Sequence, residues 1–291
     1  MCWPAHRSWT RIAVPADLRE TVQAFWYVHV PAGDGWETKL PGGSFQLVVN
    51  LDRDRFTARD GFGGGRFAAG GAALAGALAL PVLLDRSERR RVFGISLRPA
   101  AGGVIAGGAC PQAAAVPLID LGEVWGTEGR LLRERLLDLP GPAEMADHVA
   151  QVLRHRGRAH LDPAAIALAA RAAGRLGRGM RVTAVADSLG VSTSTLTRLL
   201  RRELGLTPKV HQRVARFQRV LTTVGAGPDT GRAVGSDWAA IAAACGYYDQ
   251  SHLIHEFTAL AGMRPGHYLP SHADGPHHAV LPKNAARVAR A

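Results

Sequence analysis

Between residues 21 and 97 the apolar positions come in short runs bounded by Gly and Pro. Thr21 to Val30 is aromatic and β-branched, Phe45 to Leu51 follows the turn Pro41-Gly42-Gly43, and Arg91 to Leu97 stops at Arg98-Pro99. These runs predict strands and a β-rich, barrel-like N-terminal domain. From Thr127 the spacing becomes helical, with Leu131, Leu132, Leu136 and Leu137 set among charges as far as Leu137. Pro142 opens a second helix to about His155, and Asp162-Pro163 supplies an N-cap and a first-turn proline for an Ala-rich helix to about Leu176, which Gly177 and Gly179 break. The fold class expected is α+β: the β-rich domain over residues 1–125, a helical bridge over 126–172, an all-α C-terminal domain over 173–270 and a disordered tail over 271–291.

One uncharged run, Phe67 to Leu84, is just long enough to cross a bilayer. Its Gly70, Gly71, Gly76 and Pro81 favour a buried strand pair or a short core helix instead. No apolar segment follows His6, Arg7 and Arg11, so the N-terminus does not read as a secretory signal. Cys2, Cys110 and Cys245 are too far apart for a zinc cage or a disulfide framework and read as reduced thiols. A cytoplasmic protein with no membrane partner is expected.

The all-α part contains an internal repeat. Val185-Ala186 and Leu189-Gly190 recur 56 residues later as Ile241-Ala242 and Cys245-Gly246; after the glycine the offset becomes 57, matching Leu196 with Leu253, Leu200 with Phe257, Gly205 with Gly262 and Pro208 with Pro265. Each copy reads as a short helix, a glycine turn, a longer helix and a Gly-x-x-Pro stop. The turn glycine supplies the positive φ of a tight helix-to-helix connection. Ser192 and Asp249 stand as caps of the two long helices. In the first, Leu196, Leu199, Leu200 and Leu204 face inward, leaving Ser194, Thr197, Arg198, Arg201 and Arg202 outward. In the second, Leu253, Ile254, Phe257 and Ala261 face inward, leaving Gln250, Ser251, His252 and His255 outward.

Charge sharpens that reading. Residues 1–150 hold 16 basic and 16 acidic side chains, whereas residues 151–291 hold 19 against 8, so the whole formal charge of +11 lies in the helical half. Arginine-rich codon usage would act on both halves alike. A basic half favours a polyanion. Short hydroxyls, an amide and arginines near a helix N-terminus are groups that reach base edges in a major groove, while caps and backbone amides meet phosphate. Between the copies, Thr207-Pro208 opens a connector helix to about Thr223 with Val210, Val214, Phe217 and Leu221 as its apolar stripe. At about 1.5 Å per residue its ~15 residues span about 22 Å. Such a rod could hold two recognition helices in successive major-groove faces. Arg213, Arg216 and Arg219 on or beside its polar face are phosphate candidates, with a solvated face as the plain alternative.

Residues ~173–270 resemble the twin helix-turn-helix domain of AraC/XylS transcription regulators, through VADSLGVSTSTLTRLLRRELGLTP and IAAACGYYDQSHLIHEFTALAGMRPGHYL. The resemblance implies base contacts from Ser194, Thr197 and Arg198 and from Gln250, Ser251, His252 and His255. Gly225 to Asp237 is longer and richer in glycine than the usual connection, and His255 stands where the family often has Arg. LPGGSFQLVVNL (Leu40 to Leu51) and FGISLRPAAGGVIAG (Phe93 to Gly107) resemble an N-terminal domain of undefined function that accompanies many such regulators, implying a sensor-like domain without identifying its ligand.

The expected partners are therefore double-stranded promoter or operator DNA, a small-molecule effector, RNA polymerase and a second copy of the chain. Arg98 before Ala100 to Gly108 reads either as an anion site or as a loop tie, and Phe25, Trp26, Tyr27 and Trp36 either as a pocket or as core. No cofactor, metal or enzymatic activity is expected. His6, His29 and His148 are too few for a cupin-style site, and Gly61 to Gly65 is not followed by a phosphate-binding helix. Two other readings remain open from sequence: a DNA binder whose first half is an enzyme, and a weakly specific architectural DNA binder.

Overall fold

The computed structural model describes residues 8–31, 33–61, 64–106, 115–160, 162–225, 237–268 and 278–280. In chain order its strands are β1 (Ser8–Ile12), β2 (Val22–His29), β3 (Trp36–Lys39), β4 (Gln46–Asn50), β5 (Phe56–Asp60), β6 (Arg66–Ala69), β7 (Ala72–Ala75), β8 (Val82–Asp85), β9 (Arg91–Leu97), β10 (Ile119–Asp120) and β11 (His278–Val280). A six-stranded sheet runs β1-β2-β9-β4-β7-β10 and a five-stranded sheet β11-β3-β8-β5-β6, with antiparallel pairing throughout. The helices are α1 (Gly102–Ala106), α2 (Leu121–Trp125), α3 (Thr127–Leu137), α4 (Pro142–His160), α5 (Pro163–Gly177), α6 (Val182–Ser188), α7 (Thr193–Leu204), α8 (Pro208–Gly225), α9 (Trp238–Cys245) and α10 (Gln250–Ala261). The α+β class, with a β-rich N-terminal region and a helical C-terminal region, is the one the periodicities predict.

The larger sheet is buried on both faces, which is why its strands read as nearly continuous apolar runs. Phe25, Leu47, Val49, Phe93 and Ile95 point toward helices, while Val48 and Val92 point toward the second sheet and meet Phe56, Val82 and Leu84. The aromatic cluster is split by this geometry. Phe25 and Tyr27 are core, Trp26 lies half-buried across Gly94 on the inter-sheet side, and Trp36 carries the Arg59 guanidinium 4.4 Å above its ring. The uncharged run from Phe67 to Leu84 holds parts of three strands, β6, β7 and β8, where a strand pair or helix was expected. Among the described residues no helix is long and apolar enough to cross a membrane.

Packing does not follow the division of charge along the chain. The core over the helix-facing side of the large sheet passes through Leu132 of α3 and Val149 and Leu153 of α4. It then continues without a break into Ala169 and Leu176 of α5, Val185 of α6 and Leu196, Leu200 and Leu204 of α7. A separate cluster joins Phe217 and Leu221 of α8 to Leu253, Phe257 and Leu260 of α10, and includes Leu40 from the β-rich region. Phe257 is its hub, with ring centroids of Phe217 at 5.1 Å and Tyr268 at 5.8 Å, both edge-on.

In the tail, where no regular structure was expected, β11 pairs with the outer edge of β3, His278 opposite Lys39 and Val280 opposite Glu37. An uncovered edge offers unpaired N–H and C=O groups to any passing strand, and composition alone does not register that demand. The remainder of the tail, most of the Gly-rich connection (residues 226–236), Cys2 and Cys110 lie outside the described residues. Cys245 is a buried free thiol.

Candidate nucleic-acid interface

Each repeat copy folds as read. Gly190 (φ +67°) and Gly246 (φ +79°) occupy the left-handed region at the turns between short and long helices, a conformation an L side chain adopts only under strain. Ser192 Oγ accepts from the Thr195 amide at 3.1 Å, and Asp249 Oδ1 from the His252 amide at 2.7 Å. These caps set where α7 and α10 begin and so which side chains stand at their exposed N-termini.

On α7, Leu196, Leu199, Leu200 and Leu204 are buried and the opposite face is a shallow open groove of about 650 Å³ lined by Thr193, Ser194, Thr197, Arg198, Arg201 and Arg202. The five outward residues are thus brought together, with different freedom. Arg198 and Arg201 extend into solvent. Arg202 Nε donates to Glu203 Oε1 at 2.6 Å, and its Nη2 lies 3.8 Å from Asp162. The Thr197 hydroxyl donates to the Thr193 carbonyl at 2.8 Å, and Ser194 shares a 2.8 Å hydrogen bond with Ser192.

On α10, Gln250, Ser251 and His255 are exposed. His252 is half-buried: its Nδ1 accepts from the Tyr248 amide at 3.4 Å and its ring meets Tyr247 edge-on at 5.4 Å, so it shapes the turn as well as bordering the face. Sequence reasoning missed Tyr248. It is 92% exposed directly before the Asp249 cap. Two adjacent tyrosines before a helix cannot both point inward, a signal present in Gly246-Tyr247-Tyr248-Asp249.

The connector arginines are engaged inside the protein. Arg213 Nε pairs with Glu256 at 2.8 Å, and Arg216 lies 5.3 Å over the Tyr247 ring, whose phenol burial pushes up to about 12 and keeps neutral. Arg219 donates to the Gly177 carbonyl at the end of α5 and, at 2.9 Å, to the Cys245 carbonyl at the end of α9. One guanidinium thereby ties the helix preceding the first unit to the turn of the second. These contacts account for the arginines of α8 without any phosphate. His211 on the same helix is buried with Nε2 3.1 Å from the Ala173 carbonyl, and desolvation holds its pKa below the usual 6.5.

The β-rich region touches both units. Gly102 and Gly103 let α1 approach the end of α7, where a Cβ at residue 102 would lie 2.5 Å from the Phe45 ring and 2.8 Å from the Glu203 carbonyl oxygen. The turn Pro41-Gly42-Gly43 rests on α8, its Pro41 carbonyl accepting from Gln218 and Gly43 facing Val214. Arg98 resolves as a loop tie, donating through Nε to the Arg19 carbonyl. Among the described residues no group of three or more His, Cys, Asp or Glu could hold a metal ion.

Residues 185–271 match the family model of a helix-turn-helix domain. A comparison with curated proteins gave no match. Among solved structures, ToxT from Vibrio cholerae is similar at 10% identity and a TM-score of 0.45, covering 83% of this chain and 95% of that one. A DNA-binding transcriptional dual regulator from Escherichia coli K-12 is similar at 24% identity and a TM-score of 0.28, covering 34% of this chain and 85% of that one. The family match lies within the helical C-terminal region and does not extend to the β-rich one.

Proposed function

We propose that the chain is a DNA-binding transcription regulator with an AraC-type helix-turn-helix domain at its C-terminus, and that it reads one asymmetric operator with two recognition helices, α7 and α10, under the control of a small molecule held by its β-rich region. The matched family is a DNA-binding one and not an enzyme family. The observation that carries the proposal is the paired geometry: two copies of one capped unit, each presenting short polar side chains at an exposed helix N-terminus, fixed to one connector by Arg219.

Ser194, Thr197, Arg198 and Arg201 form the first reading face, with Arg202 at its margin. Gln250, Ser251 and His255 form the second, with His252 and Tyr248 at its border. Arginine at α7 suits guanine O6/N7 or phosphate, and the Gln250 amide suits adenine N6/N7. Control from the β-rich region is supported by its contacts with the end of α7, with α8 and with the second core through Leu40. RNA polymerase and a second copy of the chain belong to this reading as partners of the DNA-bound form.

Selection of binding sites from random duplex DNA by the full-length protein at physiological salt tests it. Enrichment of one asymmetric motif with two contacted patches about one helical turn apart is expected. Salt-dependent binding without an enriched motif would replace this reading with an architectural one.

A further inference from the structure

The inter-sheet face encloses a cavity with an unusual lining. Its walls are apolar, including Val48, Phe56, Val82 and Leu84, but Lys39 at the end of β3 also borders it and is only 9% exposed. The Lys39 ammonium donates to Gln46 Oε1 at 2.6 Å; Gln46 Nε2 donates in turn to Ser96 Oγ at 3.2 Å, which also takes the Trp26 indole N–H at 3.2 Å. An ammonium has three protons to donate, and the amide uses one. Among the described residues no carboxylate pairs with it: Glu37, its strand neighbour, bonds to Arg89 at 3.0 Å, and Arg89 is the other charged group that faces the amine. Burial, with the Arg89 charge beside it, brings the Lys39 pKa down to about 7.

A buried cation without a counter-ion is costly, and pairing removes most of that cost. The centre of a water-sized sphere can range over about 30 Å³ of the cavity, so the space enclosed exceeds that by the sphere's own radius, which admits a compact acid and excludes a long chain. We propose that this cavity is the effector site, and that it takes a compact monocarboxylate of the size of acetate or propionate, with the carboxylate on Lys39 and Gln46 and the alkyl end against Val48 and Leu84. The apolar walls favour such an acid over an inorganic anion, which would gain nothing from them.

The position of Lys39 supplies the output. Lys39 is opposite His278 of β11, the strand that follows the second helix-turn-helix unit. The next residue, Leu40, is fully buried in the core of that unit, and the one after it, Pro41, accepts from Gln218 of the connector. Three consecutive residues join the cavity to the second reading helix. This inference rests on the regulator reading for its output and stands on the cavity alone for its ligand.

Calorimetric titration of the full-length protein with sodium acetate, propionate, butyrate, octanoate and chloride tests it. Saturable binding of acetate or propionate is expected, weakened about tenfold or more in Lys39→Met. Above pH 7 the free amine is largely neutral and must take up a proton to pair, so affinity should fall by up to about tenfold per pH unit from there, with proton uptake measurable as a buffer-dependent heat. Ala75→Leu, which fills the cavity and leaves Lys39 in place, should also abolish binding while unfolding cooperatively. No binding by acetate or propionate overturns the proposal, as does equal binding by Lys39→Met, tighter binding of octanoate, or equal binding of chloride. If the acid binds as expected but DNA affinity is the same with and without it, the site stands and ligand control of DNA reading falls.

Discussion

The two helix-turn-helix units share a turn, a cap and a stop, yet they differ in what supports them and in the chemistry they present. The first packs into the core of the β-rich region through α5 and α7, and its reading face carries Arg198, Arg201 and Arg202. The second builds a core of its own around Phe257, borrows Leu40, and carries no Lys or Arg on α10. Arginine near phosphate supplies affinity that every sequence shares and salt weakens, whereas an uncharged amide or imidazole contributes mainly where the base matches. On the proposed reading the first unit is a fixed, charged anchor and the second the discriminating reader, two roles for one repeated motif that follow from differences in packing and in surface chemistry.

The largest effect expected is from Gly246→Val. Its φ of +79° forces a β-branched residue into a strained conformation, costing about 1–3 kcal/mol and more if the turn opens. Footprinting should then show the patch contacted by α7 retained and the patch contacted by α10 lost; full protection of both would contradict the two roles. Arg219→Ala comes next, since it removes two hydrogen bonds from a cation to the carbonyls of Gly177 and Cys245, about 1.5–3 kcal/mol. The outcome expected is tolerance of altered spacing between the two patches, measured with operators carrying inserted base pairs. Unchanged spacing preference would mean that the connector alone sets the geometry.

Arg198→Ala and Gln250→Ala test the chemical half of the comparison. Each should cost about 1–3 kcal/mol at particular base pairs, but only the arginine change should lower the slope of affinity against salt, by about one ion. Equal slopes in both variants would erase the anchor-and-reader distinction. The smallest effect is a pH dependence at His211. Its folded pKa lies below 6.5, so the unfolded chain binds the proton first; the contribution is complete above about pH 6.5 and is lost as pH falls below it. His211→Gln should flatten the acid limb of the stability profile, measured by denaturant unfolding at a series of pH values, and an unaltered limb would remove His211 as its cause.

Local chemistry made much of the site legible. Helical spacing placed Leu196, Leu200 and Leu253 inside, and the cap residues Ser192 and Asp249 fixed the starts of α7 and α10, because a cap and a face depend on neighbours within one turn. The same reasoning put Arg213, Arg216 and Arg219 on or beside a polar face, as phosphate candidates or a solvated surface, and did not reach their partners within the fold. Whether such a cation meets phosphate, a ring or a carbonyl depends on segments 26 to 43 residues away. Tyr248 escaped because apolar aromatic residues are read as core by default.

By itself, then, the sequence determined the two periodicities, the repeat, its glycine turns and caps, and the separation of charge between the halves. Tertiary structure alone decided that the first unit shares a core with the β-rich region, that the turn Pro41-Gly42-Gly43 rests on the connector, that β11 pairs with the edge of β3, and that Lys39 borders a cavity with no carboxylate among the described residues paired to it. The physical reason is range. Propensity, capping and amphipathic spacing act within a few residues, while burial, ion pairing and edge protection belong to groups that become neighbours only when the chain has folded.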